Sequence, residues 1–385
     1  MEAKAVFYSN YIHSSAGVMG VQQSFIADLV THFGDARSVL GCDYHSYYEI
    51  QWEEVERKPI VKKLDGVKFG DVTPEVAFFC PWGPYQKIFP EFVRLKRKGS
   101  VIAFQTWGFF AKQQYWQNWE GGTRPLWLKK LATKAIQLLI KPFADFYFVS
   151  GGAEIEDSNL NLKKCVKISY GRPLSQIIEE KESFDWSGVK VDPKKRIYVG
   201  RGAWSRKGLC NIIAYATSEV GSQDHFDFYL SSPDTDLNKK IEESVAQSDR
   251  FYWDMDKRGA ELLEPIASAG AFITLNSNPV QLRSLYEALF LGCPIVVLRP
   301  AFMDELQILT VRSGIPNAVQ IVTQQGLEGG GDVIQALTQK ESAQLRLLLD
   351  QLLDERRFGN WLGQWIESPE SPTSYYESLD EKAVS

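Results

Sequence analysis

The sequence predicts an α/β protein built as two doubly wound units, each a parallel sheet with helices on both faces. Three observations predict it. Residues 271–298, AFITLNSNPVQLRSLYEALFLGCPIVVL, read as a buried strand, a helix and a second buried strand. Residues 195–218 read as a strand, a Gly/Arg loop and a helix. Short apolar runs recur through residues 5–169 with helical stretches between them, the pattern of strands joined by crossover helices.

The first of these stretches is the most regular. Residues 271–275 are a short apolar run of the kind that lies inside a parallel sheet, closed by the polar turn Asn276, Ser277 and Asn278. Over residues 280–291 the apolar side chains Leu282, Leu285, Tyr286, Leu289 and Phe290 fall at helical spacing, and Gly292 stands where a helix normally ends. Residues 294–298 are again β-branched and short. Two strands joined by a crossover helix must be parallel. Glu287 is the residue out of place, because a lone carboxylate near an apolar face is costly to bury. It reads either as a surface glutamate at the edge of the stripe, or as a carboxylate held at the carboxyl end of the sheet, where open α/β sheets take their ligands.

In the second stretch a strand at residues 197–199 runs into Gly200 and a loop carrying Arg201, Arg206 and Lys207, and a helix begins near Gly208. Glycine lets the backbone approach an anion, and the basic side chains stand beside a helix start that itself favours negative charge. By chemistry this is a phosphate-binding loop, although the spacing is neither GxxxxGK[ST] nor GxGxxG. The competing reading is ordinary solvated charge.

Together the motifs VGRxxxxxKG at 199–208 and EAxxxGxPIVV at 287–297 resemble the carboxyl-terminal domain of the GT-B glycosyltransferases, and within them glycosyltransferase family 4, whose members move sugars from nucleotide donors with retention. The resemblance implies two Rossmann-like domains facing across a cleft. It implies that Arg201 and Lys207 hold the donor diphosphate, that Glu287 binds the nucleotide ribose or the donor sugar, and that Gly200, Asn276, Ser277, Asn278 and Arg283 complete the donor side. A UDP- or GDP-sugar is then the substrate, with neither cofactor nor metal ion required. One departure stands out: the family's first glutamate would fall at position 279, which is Pro279 here. Asn276, Ser277 and Asn278 offer neutral hydrogen bonds in its place.

The amino-terminal half opens with a strand at residues 5–8, a loop containing His13, Gly17 and Gly20, and a helix over 21–33. Gly17 and Gly20 would let the backbone approach a donor phosphate or an acceptor, and His13 is a candidate contact. Further strands are expected at 38–40, 75–79, 100–104, 145–149 and 164–169. The strand at 100–104 leads into Gln105, Thr106 and Trp107, where many relatives carry a histidine that approaches the donor sugar. Trp107 reads as a core aromatic or as a stacking platform for a sugar ring. Beyond the Gly/Arg loop come strands at 226–230 and 251–254, helices near 237–247 and 257–269, a strand at 318–322 and helices over 332–353 and 355–366. These place an acceptor-side domain at 1–175, a linker at 176–195, a donor domain at 196–353, and a helix crossing back with an acidic tail at 354–385.

Composition sets the outer bounds. The chain has 385 residues, 44% hydrophobic and 24% charged, with a formal net charge of −5 that disfavours a broad nucleic-acid surface. Five singly placed cysteines argue against a disulfide framework or a zinc site. With no long apolar run and no signal-peptide pattern, a cytoplasmic protein is expected. Residues 125–141 interleave Trp127, Leu128, Leu131, Ile136, Leu139 and Ile140 with Lys129, Lys130, Lys134 and Lys141. That segment reads as an ordinary packing helix with a basic face, as an interfacial helix on a membrane that serves a lipid-linked acceptor, or as a grip on nucleic acid. The function expected is transfer of a sugar to a glycan or lipid-linked glycan, as in surface-polysaccharide synthesis. The rivals are a phage-type enzyme acting on modified DNA bases, an inactive relative that only binds a nucleotide sugar or glycan, and a non-transferase of the same fold such as an epimerase.

Overall fold

A computed structural model of the chain describes residues 1–10, 12, 18–34, 38–53, 58–80, 85–106, 134–135, 138–149, 155, 159–167, 182–200, 209–230, 243, 249–254, 257, 259–275, 283–298, 313–355 and 358–367. Two sheets organise them. The first contains β1 (Glu2–Tyr8), β2 (Val39–Cys42), β3 (Ser46–Glu53), β4 (Lys58–Lys68), β5 (Thr73–Phe79), β6 (Val101–Gln105), β7 (Phe146–Val149) and β8 (Cys165–Lys167), in the order β4-β3-β2-β1-β5-β6-β7-β8. Helix α1 (Val18–Phe33) covers one face and α2 (Tyr85–Arg97) the other. From β2 to β8 the pairing is parallel, as expected.

The edge is different. β3 pairs antiparallel with β2, and β4 with β3, so the expectation of a wholly parallel sheet fails there. β4 reads KPIVKKLDGVK, and its lysines hide a strand from a search for apolar runs while protecting an open sheet edge from stray pairing. Lys58 and Lys62 stand opposite Glu53 and Glu49 across the ladder.

The second sheet is wholly parallel. It holds β9 (Asp192–Gly200), β10 (His225–Leu230), β11 (Phe251–Asp254), β12 (Ala269–Thr274), β13 (Ile295–Leu298) and β14 (Val319–Val322), in the order β11-β10-β9-β12-β13-β14. β12 and β13 are buried along their whole length, which is why they read as unbroken apolar runs. Helices α3 (Leu209–Thr217) and α6 (Gln324–Glu328) pack on one face. α5 (Arg283–Phe290) and α7 (Gln339–Glu355) cover the other, and the short α4 (Leu263–Ala267) precedes β12 on that side.

Two helix ends show how local sequence sets these elements. α5 stops at Gly292, whose φ of 73° is left-handed; the Gly292 and Cys293 N–H groups donate to the carbonyls of Leu289 and Ala288. A side chain at Gly292 would also meet the Ser342 carbonyl of α7 at 2.6 Å. α7 begins at Gln339 rather than at 332, because Thr338 and Glu341 form a reciprocal capping box there.

The last helix, α8 (Phe358–Glu367), lies on α1. Its Phe358, Trp361 and Leu362 join the core formed by Phe25, Phe78 and Phe148. The buried carboxylate of Asp28 accepts the Gly359 N–H at 3.0 Å. Gly359 and Gly363 sit against Asp28 and His32, one turn apart on each helix, so glycine permits the close approach. Cys42, Cys80, Cys165 and Cys293 are buried and not in disulfides, and burial pushes Cys293 up to about 12, which fits inert core cysteines. Among the described residues no helix is long and apolar enough to cross a membrane.

Candidate functional site

In an open parallel sheet, the ends of two neighbouring strands whose following helices go to opposite faces leave a crevice at the carboxyl side. The second sheet reverses its order between β9 and β12, and the helices that follow them, α3 and α5, lie on opposite faces. Residues 201–208 follow β9 at this point and residues 276–282 follow β12, both outside the described residues.

Two hydrogen bonds tie the helix starts to it. Asn211, in the first turn of α3, donates from Nδ2 to the Leu275 carbonyl just beyond β12, at 3.3 Å. Ser284, in the first turn of α5, donates from Oγ to the Val199 carbonyl of β9, at 3.4 Å. Each helix therefore reaches across to the strand that leads into the other one. The positive ends of both helix dipoles, with their unshared N–H groups, converge on the crevice. This is the electrostatics an anionic ligand needs.

At the same level Thr274, the last residue of β12, is fully buried, and its Oγ1 has no hydrogen-bond partner. Gly200 ends β9. A side chain there would lie 2.7 Å from the Tyr198 hydroxyl, so this glycine has a packing reason besides the access it gives the backbone. Tyr198 itself is buried, and burial pushes its hydroxyl well above the ordinary tyrosine range.

Glu287 is in the second turn of α5 and half-buried, while Leu285, Ala288 and Leu289 of the same helix enter the core. Arg283 is the first residue of α5, one turn before Glu287 on the same side of the helix. Arg201, Lys207, Asn276, Ser277 and Asn278 lie outside the described residues.

The first sheet has its own reversal, between β1 and β5. The β1 loop holds His13 and Gly17, both outside the described residues. α1 starts at Val18 and not at 21, so Gly20 belongs to the first helical turn; its expected place in the loop before the helix is corrected. Its N–H still belongs to the set of helix-start donors with no partner inside the helix.

Gln105 is the last residue of β6. It is 3% exposed, and neither Oε1 nor Nε2 of its side chain has a hydrogen-bond partner. Thr106 next to it is anchored, its N–H and Oγ1 both bonding the Phe148 carbonyl. Trp107 lies outside the described residues, as do 125–133 and 136–137 of the basic segment. Sequence reasoning picked Gln105 by position and missed Thr274, Asn211 and Ser284. A polar residue ending an apolar strand was the available signal for Thr274, and a small polar residue in the first turn of a helix was the signal for the other two.

No family model matches the chain, and no curated protein sequence does. Solved structures do. The trehalose-6-phosphate structure from E. coli bound with UDP-2-fluoro glucose resembles it with a TM-score of 0.61 at 10% identity, over 95% of this chain and 98% of that one. HepE of Anabaena in complex with UDP-glucose has a TM-score of 0.56 at 11% identity, over 98% and 99%. The UDP-forming α,α-trehalose-phosphate synthase of Burkholderia xenovorans in complex with glucose-6-phosphate has 0.56 at 10%, over the whole of both chains. Likeness of this extent at such identity is a likeness of architecture, and with the two Rossmann-like sheets described above it establishes that the chain has the GT-B fold.

Proposed function

We propose that this chain is a retaining glycosyltransferase, of the family 4 type, that moves a sugar from a UDP- or GDP-sugar to a glycan or lipid-linked glycan acceptor. The observation that carries the reading is the crossed anchoring of α3 and α5 at the β9/β12 crevice, which aims two helix starts at one point. The VGRxxxxxKG motif begins in sequence at the end of β9. HepE and the E. coli protein hold UDP-glucose and UDP-2-fluoro glucose on the same fold, which supports a uridine nucleotide sugar as the first donor to try.

In this mechanism the donor diphosphate lies against the start of α3, and Arg201 and Lys207 stabilise the negative charge that grows on it as the sugar–phosphate bond breaks. That positive charge supplies what a metal ion supplies in other transferases. Glu287 accepts hydrogen bonds from ribose or sugar hydroxyls, and Asn276, Ser277 and Asn278 add neutral ones where Pro279 offers none. The departing phosphate assists attack by the acceptor hydroxyl on the same face, so retention needs no base from the protein. Gln105 and His13 contact the sugar or acceptor from the first sheet, and Trp107 stacks on a sugar ring.

The test is release of nucleoside diphosphate from UDP-, GDP- and ADP-sugars. Wild type should release one of them, and Arg201→Ala or Lys207→Ala should lower the rate by about a hundredfold or more. EDTA should leave the rate unchanged; reversible loss on chelation would refute the metal-free mechanism. A specific observation, Pro279, favours a second reading in which the chain binds a nucleotide sugar without turning it over. Tight binding by calorimetry with no release, glycans and modified DNA being supplied as acceptors, would establish that reading instead.

A further inference from the structure

Ser9, Cys80 and Gln105 stand one residue past the register pairs Tyr8–Phe79 and Phe79–Phe104, so they lie level with one another at the ends of the neighbouring strands β1, β5 and β6. The ladder continues through them, the Ser9 N–H bonding the Cys42 carbonyl and the Cys80 N–H the Tyr8 carbonyl. Side chains alternate along a strand, and Phe7, Phe78 and Ala103, two residues earlier, belong to the core under α1 and α8. Ser9, Cys80 and Gln105 therefore edge that same face, and all three are buried. They close the apolar core with a row of neutral polar groups, at the end of the sheet where α1 begins.

Gln105 is the telling member. Its amide offers donor hydrogens on Nε2 and acceptor lone pairs on Oε1, and neither atom has a partner. A ligand that satisfies both must bring an acceptor and a donor side by side. Two adjacent sugar hydroxyls do so, whereas a phosphate or carboxylate only accepts and leaves Oε1 facing negative charge. An anion would also need a cation, and the sequence puts none close by. No lysine, arginine, aspartate or glutamate occurs in 9–27, 80–86, 105–111 or 150–153, the residues at and after the ends of β1, β5, β6 and β7. The first charged residues past those stretches are Asp28, Lys87, Lys112 and Glu154. Asp28 is bonded to the Gly359 N–H, and Lys87 to the Tyr44 carbonyl and to His45, while Lys112 and Glu154 lie outside the described residues. Asp43, after β2, accepts the His45 and Ser46 N–H groups on one oxygen and the Tyr48 hydroxyl on the other. Lys167 ends β8, two strands from β6.

We infer that this row holds an uncharged sugar ring, so that the ring receiving the transfer bears adjacent free hydroxyls and carries neither phosphate nor carboxylate. One hydroxyl accepts from Gln105 Nε2 and its neighbour donates to Oε1. The inference rests on the transferase reading, in which the first sheet takes the acceptor, and it narrows that acceptor to a chemical class. Buried hydrogen-bonding groups select strongly, because a ligand that lacks a matching group leaves them unpaired.

The experiment takes the donor that wild type cleaves and measures nucleoside diphosphate release with glucose, galactose and mannose, against their 6-phosphates and glucuronate. Release should be fastest with a neutral sugar, its kcat/KM exceeding that of its 6-phosphate by on the order of a hundredfold. Monodeoxy analogues of the best sugar should be poorer by about a hundredfold at two adjacent positions, and Gln105→Leu should use those analogues no worse than the parent sugar. That last comparison is made within one variant, so a general loss of stability or activity does not produce it. Saturation-transfer NMR with the same sugars and no donor needs no turnover: the neutral sugars should bind to wild type, and Gln105→Leu should lose them. Sugar binding of this kind without cleavage of any donor would refute the transferase reading and leave the row a neutral-sugar site. A preference for a sugar phosphate or for glucuronate would overturn the inference. So would a Gln105→Leu variant that keeps the deoxy penalty at every position, or neutral sugars that neither react nor bind.

Discussion

The two ends of the strands are built on opposite principles. At the amino ends, buried and half-buried charge is bonded. Arg196 bonds both carboxylate oxygens of Asp224, at 3.0 and 3.1 Å, and Tyr215 Oη adds a third bond to the same group. Arg250 donates to the carbonyls of Gly221 and Asp224, and Asp145 takes Lys96 and the Ile102 N–H. At the carboxyl ends, Gln105 and Thr274 each close a strand with a buried polar group that has no partner. Native proteins pair nearly all buried polar atoms, and these two orphans stand at the last residue of a strand in each sheet, the side where open α/β sheets take ligands. The contrast separates polar groups bonded within the fold from polar groups that the fold leaves unpaired.

The largest effect should come from breaking the amino end. Asp224→Ala leaves the Arg196 guanidinium buried without its carboxylate and takes a bond from Tyr215, so it should cost about 3–5 kcal/mol in urea unfolding. Donor binding should persist at temperatures where the variant stays folded. A loss below about 1 kcal/mol would mean that the network contributes little and that the contrast between the ends is not one of stability.

How far this contrast was legible in the sequence differs between its halves. The parallel strands were readable because burial on both faces makes runs such as 295–298 wholly apolar. β3 and β4 were not, since an edge strand carrying Lys58, Lys62, Lys63 and Lys68 looks like a loop. The Glu287 helix announced itself through spacing. Asn211 and Ser284 stayed hidden because they act on Leu275 and Val199, contacts that exist only once two separate βα units share a sheet. The orphaned state of Gln105 and Thr274 is likewise a property of what surrounds them, which composition and periodicity do not record.

A smaller and sharper effect tests the carboxyl ends. Replacing an unsatisfied buried polar group by an apolar one of like shape removes a penalty, so Thr274→Val should raise the stability of the free protein by about 1 kcal/mol, and Gln105→Leu by a similar amount. Both should weaken nucleotide-sugar binding or turnover. This pairing of gained stability with lost function is what a group reserved for a ligand produces. A fall in stability for both would show that these side chains already contribute to the folded protein, and the distinction between the two ends would go.

The smallest effect uses pH, to which the two ends should answer differently. Gln105 and Thr274 do not titrate, whereas the amino end carries carboxylates. α7 starts beside Gly292 at that end, and its Glu341 takes hydrogen bonds from the Thr338 hydroxyl at 2.7 Å and the Thr338 N–H at 2.8 Å. The hydroxyl first, and then the N–H, hold this carboxyl below its ordinary value of 4.5. A carboxyl depressed on folding contributes stability that is complete above its unfolded pKa and is lost as pH falls through the lower folded one. Below about pH 4.5 the wild type should therefore lose a few tenths of a kcal/mol that Glu341→Gln, which keeps the capping box but cannot titrate, does not lose. Parallel unfolding curves for the two proteins from pH 6 to about pH 3 would show that the cap carries no charge-dependent stability. Thr274→Val measured over the same range should keep a constant offset from wild type, since the group it removes has no proton to exchange at either pH.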